Sequence, residues 1–366
     1  MPEIIKLKAE DYRAYNAVNY STLSSMVDDP RTLINPQRET TDGMDLGSLV
    51  DCKLFTPNEL ESRFHIINIE KPGDKMGQMI DYYLNNLIPP SLLSPIGTEE
   101  LNEELVIKAQ QIVGWNTNYK RDTTIQHFKD KALPYIKAIL GAGDKTIVPA
   151  SMLATADLHA NKLLTTDFAG VCYLLNGEGS VSVPKYLDFA GVQALRINYQ
   201  ACQTMQVTRE MLVQLGVPKE KLPPIDYFHI KIKPDIVVEH ALGIDIHDLK
   251  IISDAPKNFV PNYFFKYKYY IQSTLYTLFY KLLTKQPVNF YFILGSERFP
   301  TTVIPVGCFE QGLLGWTSAT GIRYKGVLEL IGDYYWHYEH DIFDYTPEEY
   351  YLINHIFIKD HTTKVL

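Results

Sequence analysis

The sequence predicts an α/β fold, a mixed central sheet flanked by helices, with a helical insertion ahead of its strongest strands. Three observations carry this. Apolar, β-branched runs at Tyr227–Val238 and Leu242–Ile251 flank a short Glu239-His240-Ala241-Leu242-Gly243 link, the pattern of a hairpin. An aromatic stretch of helical spacing, about 262–284, follows, and then a strongly apolar strand at Val288–Leu294. Residues 66–165 instead read as successive helices near 76–87, 99–113, 123–140 and 150–163, broken at Pro89-Pro90, Pro95-Ile96-Gly97 and Gly141-Ala142-Gly143.

In chain order, residues 1–65 form the N-terminal part of the core: an extended start, a helix over Ser21–Val27, an Asp28-Asp29-Pro30 turn and a helix from about Met44 to Phe55. Residues 66–165 form the helical layer, and 166–366 the rest of the core, the whole making one structural domain. The last part opens with an apolar stretch at Val171–Leu175, a glycine-rich turn at Gly177–Ser180, strands around Val181–Val183 and Val192–Tyr199, a helix over 204–215 and a loop from Pro218 to Pro224. Beyond the hairpin (231–251) and the aromatic helix, a second late strand covers Thr301–Val306. A helix then runs from Phe309 to Tyr338 with breaks at Gly315, Gly321 and Gly332. Thr346 caps a final helix, with Pro347 at its first position and Glu349 three residues after the cap.

Composition narrows the class. The 366 residues are 46% apolar with a mean hydropathy of −0.13, enough for a large buried core. No apolar run approaches a membrane span, and the N-terminal MPEIIKLKAEDY has no charged-then-apolar signal pattern, so a cytoplasmic protein is expected. Cys52, Cys172, Cys202 and Cys308 are scattered, which argues against a structural zinc site and a disulfide framework. The ten histidines show no HxxxH or HxH pattern.

The chemistry concentrates between residues 231 and 276. If the hairpin forms, Asp235 comes near Asp248, and strand alternation turns Asp248 and Lys250 one way while Leu249 points into the core. Two carboxylates on neighbouring strands suit a hard cation such as Mg²⁺, with Mn²⁺ as a substitute. A lysine beside a cation-bound water can hold that water or stabilise negative charge on a phosphate. Gln272 and Tyr276, one helical turn apart, share a face: the glutamine could orient the attacking water and the tyrosine touch DNA. Taken singly, an acidic-x-Lys triplet is far more often a solvated strand end with an i, i+2 ion pair.

The order of these pieces, Pro234-Asp235, then Asp248-Leu249-Lys250, then Gln272-x-x-x-Tyr276, resembles the PD-(D/E)XK nuclease superfamily and its RecB-like branch. Upstream, Tyr20-Ser21-Thr22-Leu23-Ser24, Asp29-Pro30, Leu46–Asp51 and Leu54-Phe55-Thr56-Pro57 look like the start of RecE-type phage exonucleases of the exodeoxyribonuclease VIII kind. There a Gly-[Ser/Thr]-x-x-His helix supplies a metal-binding histidine; this chain has Asp51 at that place, either a replacement ligand or a polar residue of an amphipathic helix. The resemblance implies a restriction-endonuclease-like core and Mg²⁺-dependent hydrolysis of DNA. Asp235, Asp248 and the Leu249 carbonyl would hold metal, Lys250 would assist the water, and the enzyme would run 5′→3′ from duplex ends. It further implies 3′ single strands handed to an annealing recombinase, ring-like homo-oligomers and a bacterial or phage-infected cell. An endonuclease, a single-strand-specific nuclease or a catalytically silent DNA-end-binding scaffold are the alternatives. The clustered C-terminal cysteines that hold an iron–sulfur cluster in some RecB-like nucleases are missing, so none is expected.

The net charge of −8 bears on DNA binding only through its distribution. Lys257, Lys266, Lys268 and Arg298 are the candidate DNA contacts, with Lys231, Lys233, Lys281 and Lys285 as further lining; the other reading is an ordinary solvated scatter. In Tyr263–Tyr270 aromatics alternate with lysines, suited either to stacking on a frayed strand or to packing on the sheet.

Overall fold

The computed structural model describes residues 4–36, 41–69, 72–86, 101–166, 170–177, 179–182 and 194–352. The expected helix breaks at Pro89-Pro90 and Pro95-Ile96-Gly97, and the strand residues Val183 and Val192, lie outside them. The chain divides into two compact units, one of residues 1–40 with 161–366 and one of residues 41–160. Residues 41–65 thus group with the helical layer rather than with the core.

The first unit opens with β1 (Ile4–Lys6), α1 (Ala9–Ala14) and α2 (Tyr20–Asp28). The Asn19 side chain caps α2 by accepting from the Thr22 amide (3.0 Å). The second unit follows: α3 (Asp42–Phe55), α4 (Leu60–Arg63), β2 (Phe64–Ile67), α5 (Asp74–Asn86), α6 (Glu103–Val113), α7 (Arg121–Lys131), α8 (Leu133–Ala142) and β3 (Thr146–Pro149). Its helices bury Met76, Met79, Ile80, Val106 and Phe128 in a core of their own, and β2 pairs parallel with β3. α9 (Ala150–Thr165) carries the chain back.

The first unit resumes with α10 (Val171–Asn176), β4 (Gly179–Ser182), β5 (Ala194–Tyr199), β6 (Gln203–Thr208), α11 (Arg209–Gln214), β7 (Tyr227–Ile232), β8 (Ile236–His240) and β9 (Gly243–Ile251). Then come α12 (Tyr269–Thr284), β10 (Val288–Gly295), β11 (Thr302–Pro305), α13 (Phe309–Leu314), the short β12 (Trp316–Thr317) and β13 (Arg323–Tyr324), and α14 (Val327–His340). Six strands form a mixed sheet in the order β11-β10-β9-β8-β5-β4, while β1-β6-β7 form a separate antiparallel sheet. Only β9 and β10 run parallel within the large sheet, because α12 is the crossover between them.

α12 is apolar almost all round, with 12 of its 16 residues buried, the signature of a central helix. Ile271, Leu275, Leu278 and Phe279 pack on Ile244, Ile246, Phe290 and Phe292 of β9 and β10. α13 lies so close across it that a side chain at Gly312 would collide with the Thr274 hydroxyl. At the β8–β9 hairpin Gly243 has φ 149°, and a side chain there would strike the Pro287 carbonyl.

Four expected elements differ. The strand expected across 227–238 breaks at Lys233-Pro234-Asp235: Pro234 has no amide for a ladder, so β7 joins the small sheet and only β8 pairs with β9. The helix expected at 204–215 is β6 and then α11, since Thr208 leaves the strand and caps α11 through the Met211 amide (3.4 Å). The aromatic helix begins at Tyr269, because Lys268 is left-handed (φ 55°) after a π-turn at Val260–Phe264. The expected helix over 309–338 is α13, a two-stranded ribbon and α14; Gly315 (φ 79°) and Gly321 (φ 84°) adopt turn conformations that a helix does not. The terminal capping box is present, with the Thr346 amide donating to Glu349 (2.8 Å) and the Glu349 amide to Thr346 Oγ1 (3.2 Å).

Candidate active site

Alternation along β9 puts Ile244, Ile246, Asp248 and Lys250 on the face covered by α12, and Asp245, His247 and Leu249 on the other. The expectation that Leu249 points into the main core is therefore reversed. The α12 crossover lays the core over the carboxylate's face, leaving Asp248 only 2% exposed, while Leu249 is buried on the opposite side.

Asp235 sits where the chain passes from the small sheet to the large one. Its Oδ2 accepts from the Leu249 amide (2.8 Å) and its Oδ1 from Gln200 Nε2 (3.1 Å). Its carbonyl accepts from the Gln200 amide (3.0 Å), with Gln200 itself held left-handed (φ 48°) in the turn after β5. In a strand the N–H and C=O of one residue face the same neighbour, so the Leu249 carbonyl is offered to the edge where Asp235 lies.

Across β9, Asp248 Oδ1 accepts from Gln272 Nε2 (2.8 Å) and Oδ2 is ion-paired with the Lys250 ammonium. Burial raises the Asp248 carboxyl above the usual range, opposed by Lys250 and Gln272. Burial alone would lower the Lys250 ammonium; Asp248, Tyr269, Asp235 and Tyr20 together outweigh it and raise it. The ammonium also lies 4.7 Å from the centre of the Tyr269 ring and 5.7 Å from that of Phe292. Gln272 Oε1 is buried with no hydrogen-bond partner among the described residues, an acceptor left over beside Tyr276 on the same helix face.

Tyr276 takes a different part from the one expected. It is 6% exposed and its hydroxyl donates to the Lys233 carbonyl (3.2 Å), so it steadies the backbone entering Asp235 and is not open to a DNA strand. One turn on, Tyr280 donates to Gln203 Oε1 (3.0 Å), so one face of α12 is tied successively to β9, to the chain before β8 and to β6. Sequence reasoning assigns no role to Gln200 or Tyr280, whose contacts depend on strand crossings that no local pattern announces.

Asp51 lies on α3, in the unit of residues 41–160, whereas Asp235, Asp248, Lys250 and Gln272 are assembled wholly within the other. Of the proposed DNA contacts, Lys257, Lys266 and Arg298 are exposed, and Lys268 is paired with Asp28 (2.7 Å). Arg298 stands on a turn that Lys162 holds by donating to the carbonyls of Ser296 (2.6 Å), Glu297 (3.1 Å) and Phe299 (2.8 Å). Lys231 does not line a channel: it is 6% exposed and its ammonium donates to the carbonyls of Tyr12 (2.9 Å) and Tyr15 (2.7 Å).

The donor set fits a hard divalent cation. Two carboxylates accompany one ammonium, Asp248 buried and Asp235 half-buried, and all the side-chain acceptors are oxygens. Among the described residues no group of three or more His, Cys, Asp and Glu side chains converges. Such an ion would be held by Asp235 and Asp248, keeping water in the rest of its shell as Mg²⁺ commonly does.

No family model matches the chain, and no curated protein matches it. Among solved structures, a Eubacterium rectale protein provisionally named an exonuclease aligns with 83% of this chain and 79% of its own, at 11% identity and a TM-score of 0.38. A likeness that distant carries no functional weight.

Proposed function

We propose that the chain is a metal-dependent deoxyribonuclease with a PD-(D/E)XK-type centre, working as a RecE-like 5′→3′ exonuclease on duplex ends. The observation that carries this reading is the buried Asp248, clasped by Lys250 and Gln272, with Asp235 held on the Leu249 amide of the same strand. Mg²⁺ held by Asp235, Asp248 and the Leu249 carbonyl would supply a water of lowered pKa and polarise the phosphate. Lys250 then stabilises the negative charge that grows on the phosphate oxygens, and the Asp248 pairing fixes where that charge must lie. Gln272 holds Asp248 with its amide nitrogen and presents Oε1 as acceptor for a proton of the attacking water. Hydrolysis forms a bond from the water oxygen to phosphorus and breaks the bond between phosphorus and the 3′ oxygen, and the leaving oxygen takes a proton from solvent water. Asp51 is not needed for these steps. The 3′ strands left behind would go to an annealing protein, and copies of the chain would assemble around DNA.

The test is digestion of linear duplex DNA labelled at the 5′ or the 3′ end, with Mg²⁺ or EDTA, by wild type, Asp248→Ala and Lys250→Ala. Mg²⁺-dependent release from 5′ ends, abolished by both substitutions, is expected. Binding of DNA ends without cleavage under Mg²⁺ or Mn²⁺ would replace the nuclease with a silent end-binding scaffold.

A further inference from the structure

Between β9 and α12 the chain runs through residues 252–268, where rings form a continuous path to Lys250. Tyr267 lies 6.1 Å from Tyr263 and 5.8 Å from Tyr269, and Phe259 stacks on both Tyr263 (6.1 Å, 14°) and Tyr269 (5.9 Å, 16°). The far end of the path is the Lys250 ammonium over Tyr269. Exposure grows outward, from Phe259 at 0% to Tyr267 at 44%. Phe264 and Tyr270 of the same run are buried and serve the core, so packing accounts for them. It does not account for Tyr267.

The path is also rigid. The Tyr263 and Ser253 hydroxyls are 3.2 Å apart, Asn262 Nδ2 donates to Asp254 (2.8 Å), and the Tyr20 hydroxyl donates to the Tyr267 carbonyl (2.6 Å). Rings already held in place lose little freedom when a ligand arrives. Asp254 is taken up by Asn262 and Asp28 by Lys268, which leaves two exposed lysines of the segment without a carboxylate among the described residues. The Lys266 ammonium lies 5.3 Å from the centre of the Tyr267 ring, and Lys257 is exposed; neither has an ion-pair partner among the described residues. An exposed ring with an unneutralised ammonium over it, and a second exposed lysine on the same segment, suits a polyanion with free π-faces, which unpaired bases on a phosphate backbone provide and stacked base pairs do not.

We infer that Tyr267 and Tyr263, with Lys266 and Lys257, form a binding track for single-stranded DNA that leads to Lys250. That the strand is DNA and is cut at the track's end rests on the nuclease reading; the binding itself does not. A frayed end would enter with a base on Tyr267 and its phosphates on the two lysines, so the centre would receive one strand instead of a closed duplex.

The test uses the full chain in EDTA, where no cutting occurs, and follows the fluorescence anisotropy of a labelled oligothymidylate and of a blunt duplex of equal length. Tyr267→Ala is expected to weaken oligothymidylate binding by about 5- to 150-fold, the range for losing one stacked base, and Tyr267→Phe to restore it. Duplex binding should change little. Lys266→Gln should lower the steepness of log affinity against log salt by about 0.7. Unchanged oligothymidylate binding by Tyr267→Ala, an equal loss on duplex, or tighter binding of oligouridylate than of oligothymidylate would overturn the track. The two readings fail separately: a track that binds beside a centre that never cuts under Mg²⁺ sinks only the nuclease, and cutting that survives alongside indifferent Tyr267 variants sinks only the track.

Discussion

Asp245 and Asp248 lie on the same strand, three positions apart, on opposite faces of the sheet. Each is clasped by an amide and a basic side chain. Asp245 takes Asn289 Nδ2 at 2.8 Å and faces His240 Nε2 at 3.3 Å; Asp248 takes Gln272 Nε2 at 2.8 Å and the Lys250 ammonium. The difference is in what else arrives. The lysine paired with Asp248 also feels the charge of a second carboxylate, Asp235, and its glutamine keeps a buried oxygen without a partner among the described residues. Beside Asp245 stands His247, stacked on Tyr291 (4.9 Å, 16°) with its Nδ1 buried and lacking a hydrogen bond among the described residues. A clasped carboxylate is therefore a poor sign of chemistry by itself. An excess of like charge on one cation is a better one.

The comparison breaks if the two aspartates prove interchangeable. Asp248→Asn should reduce Mg²⁺-dependent DNA cleavage by about 10³-fold or more, while Asp245→Asn stays within a few-fold of wild type; equal losses in end-labelled digestion would remove the distinction. Next in size, Gln272→Ala takes away the amide that orients Asp248 and should cost about 10- to 100-fold in cleavage rate, in keeping with lost outer-shell partners. The matching Asn289→Ala should leave that rate alone.

Where the sequence speaks and where it is silent follows the same division. Pro234-Asp235, Asp248-x-Lys250 and Gln272 are legible because strand alternation and helical spacing act over a few residues. The Asp245 clasp and the contacts of Asp235 with Gln200 are not, since they depend on which strands become neighbours. Tyr276 is legible in its place but not in its role, because periodicity gives the face of α12 without showing that a hydroxyl on it meets the Lys233 carbonyl. The mixed sheet follows from the strand pattern, whereas the departure of β7 into a second sheet needs the consequence of one proline followed across the fold.

Acid sharpens the contrast from the other side of β9. Burial pushes the His247 imidazole down to about 4, with Asp245 pulling upward. The folded pKa lies below the unfolded value near 6.5, so the folded state binds fewer protons between these limits. The stabilising contribution is present above about pH 6.5 and is lost as pH falls towards 4, amounting to about 2 kcal/mol between pH 7 and pH 5. Thermal unfolding of wild type and His247→Phe at both pH values checks it, with the variant expected to lose less. Smallest of all, Asn289→Ala should cost about 1 kcal/mol of stability in urea unfolding.

On the ribosome, the two segments of the first unit emerge far apart in time. Lys231 grips the carbonyl of Tyr12, 219 residues earlier, so at about 5–20 residues per second roughly ten to forty seconds separate the two groups. Until β6 and β7 emerge, β1 lacks its ladder and Val18 its partner Ile230, while residues 76–136 can already condense among themselves. Asp235, Asp248 and Gln272 follow later still. A chain halted in mid-synthesis would therefore carry the helical unit without the Asp235, Asp248 and Gln272 cluster, and the cell making it would meet that cluster only after most of the protein had been built.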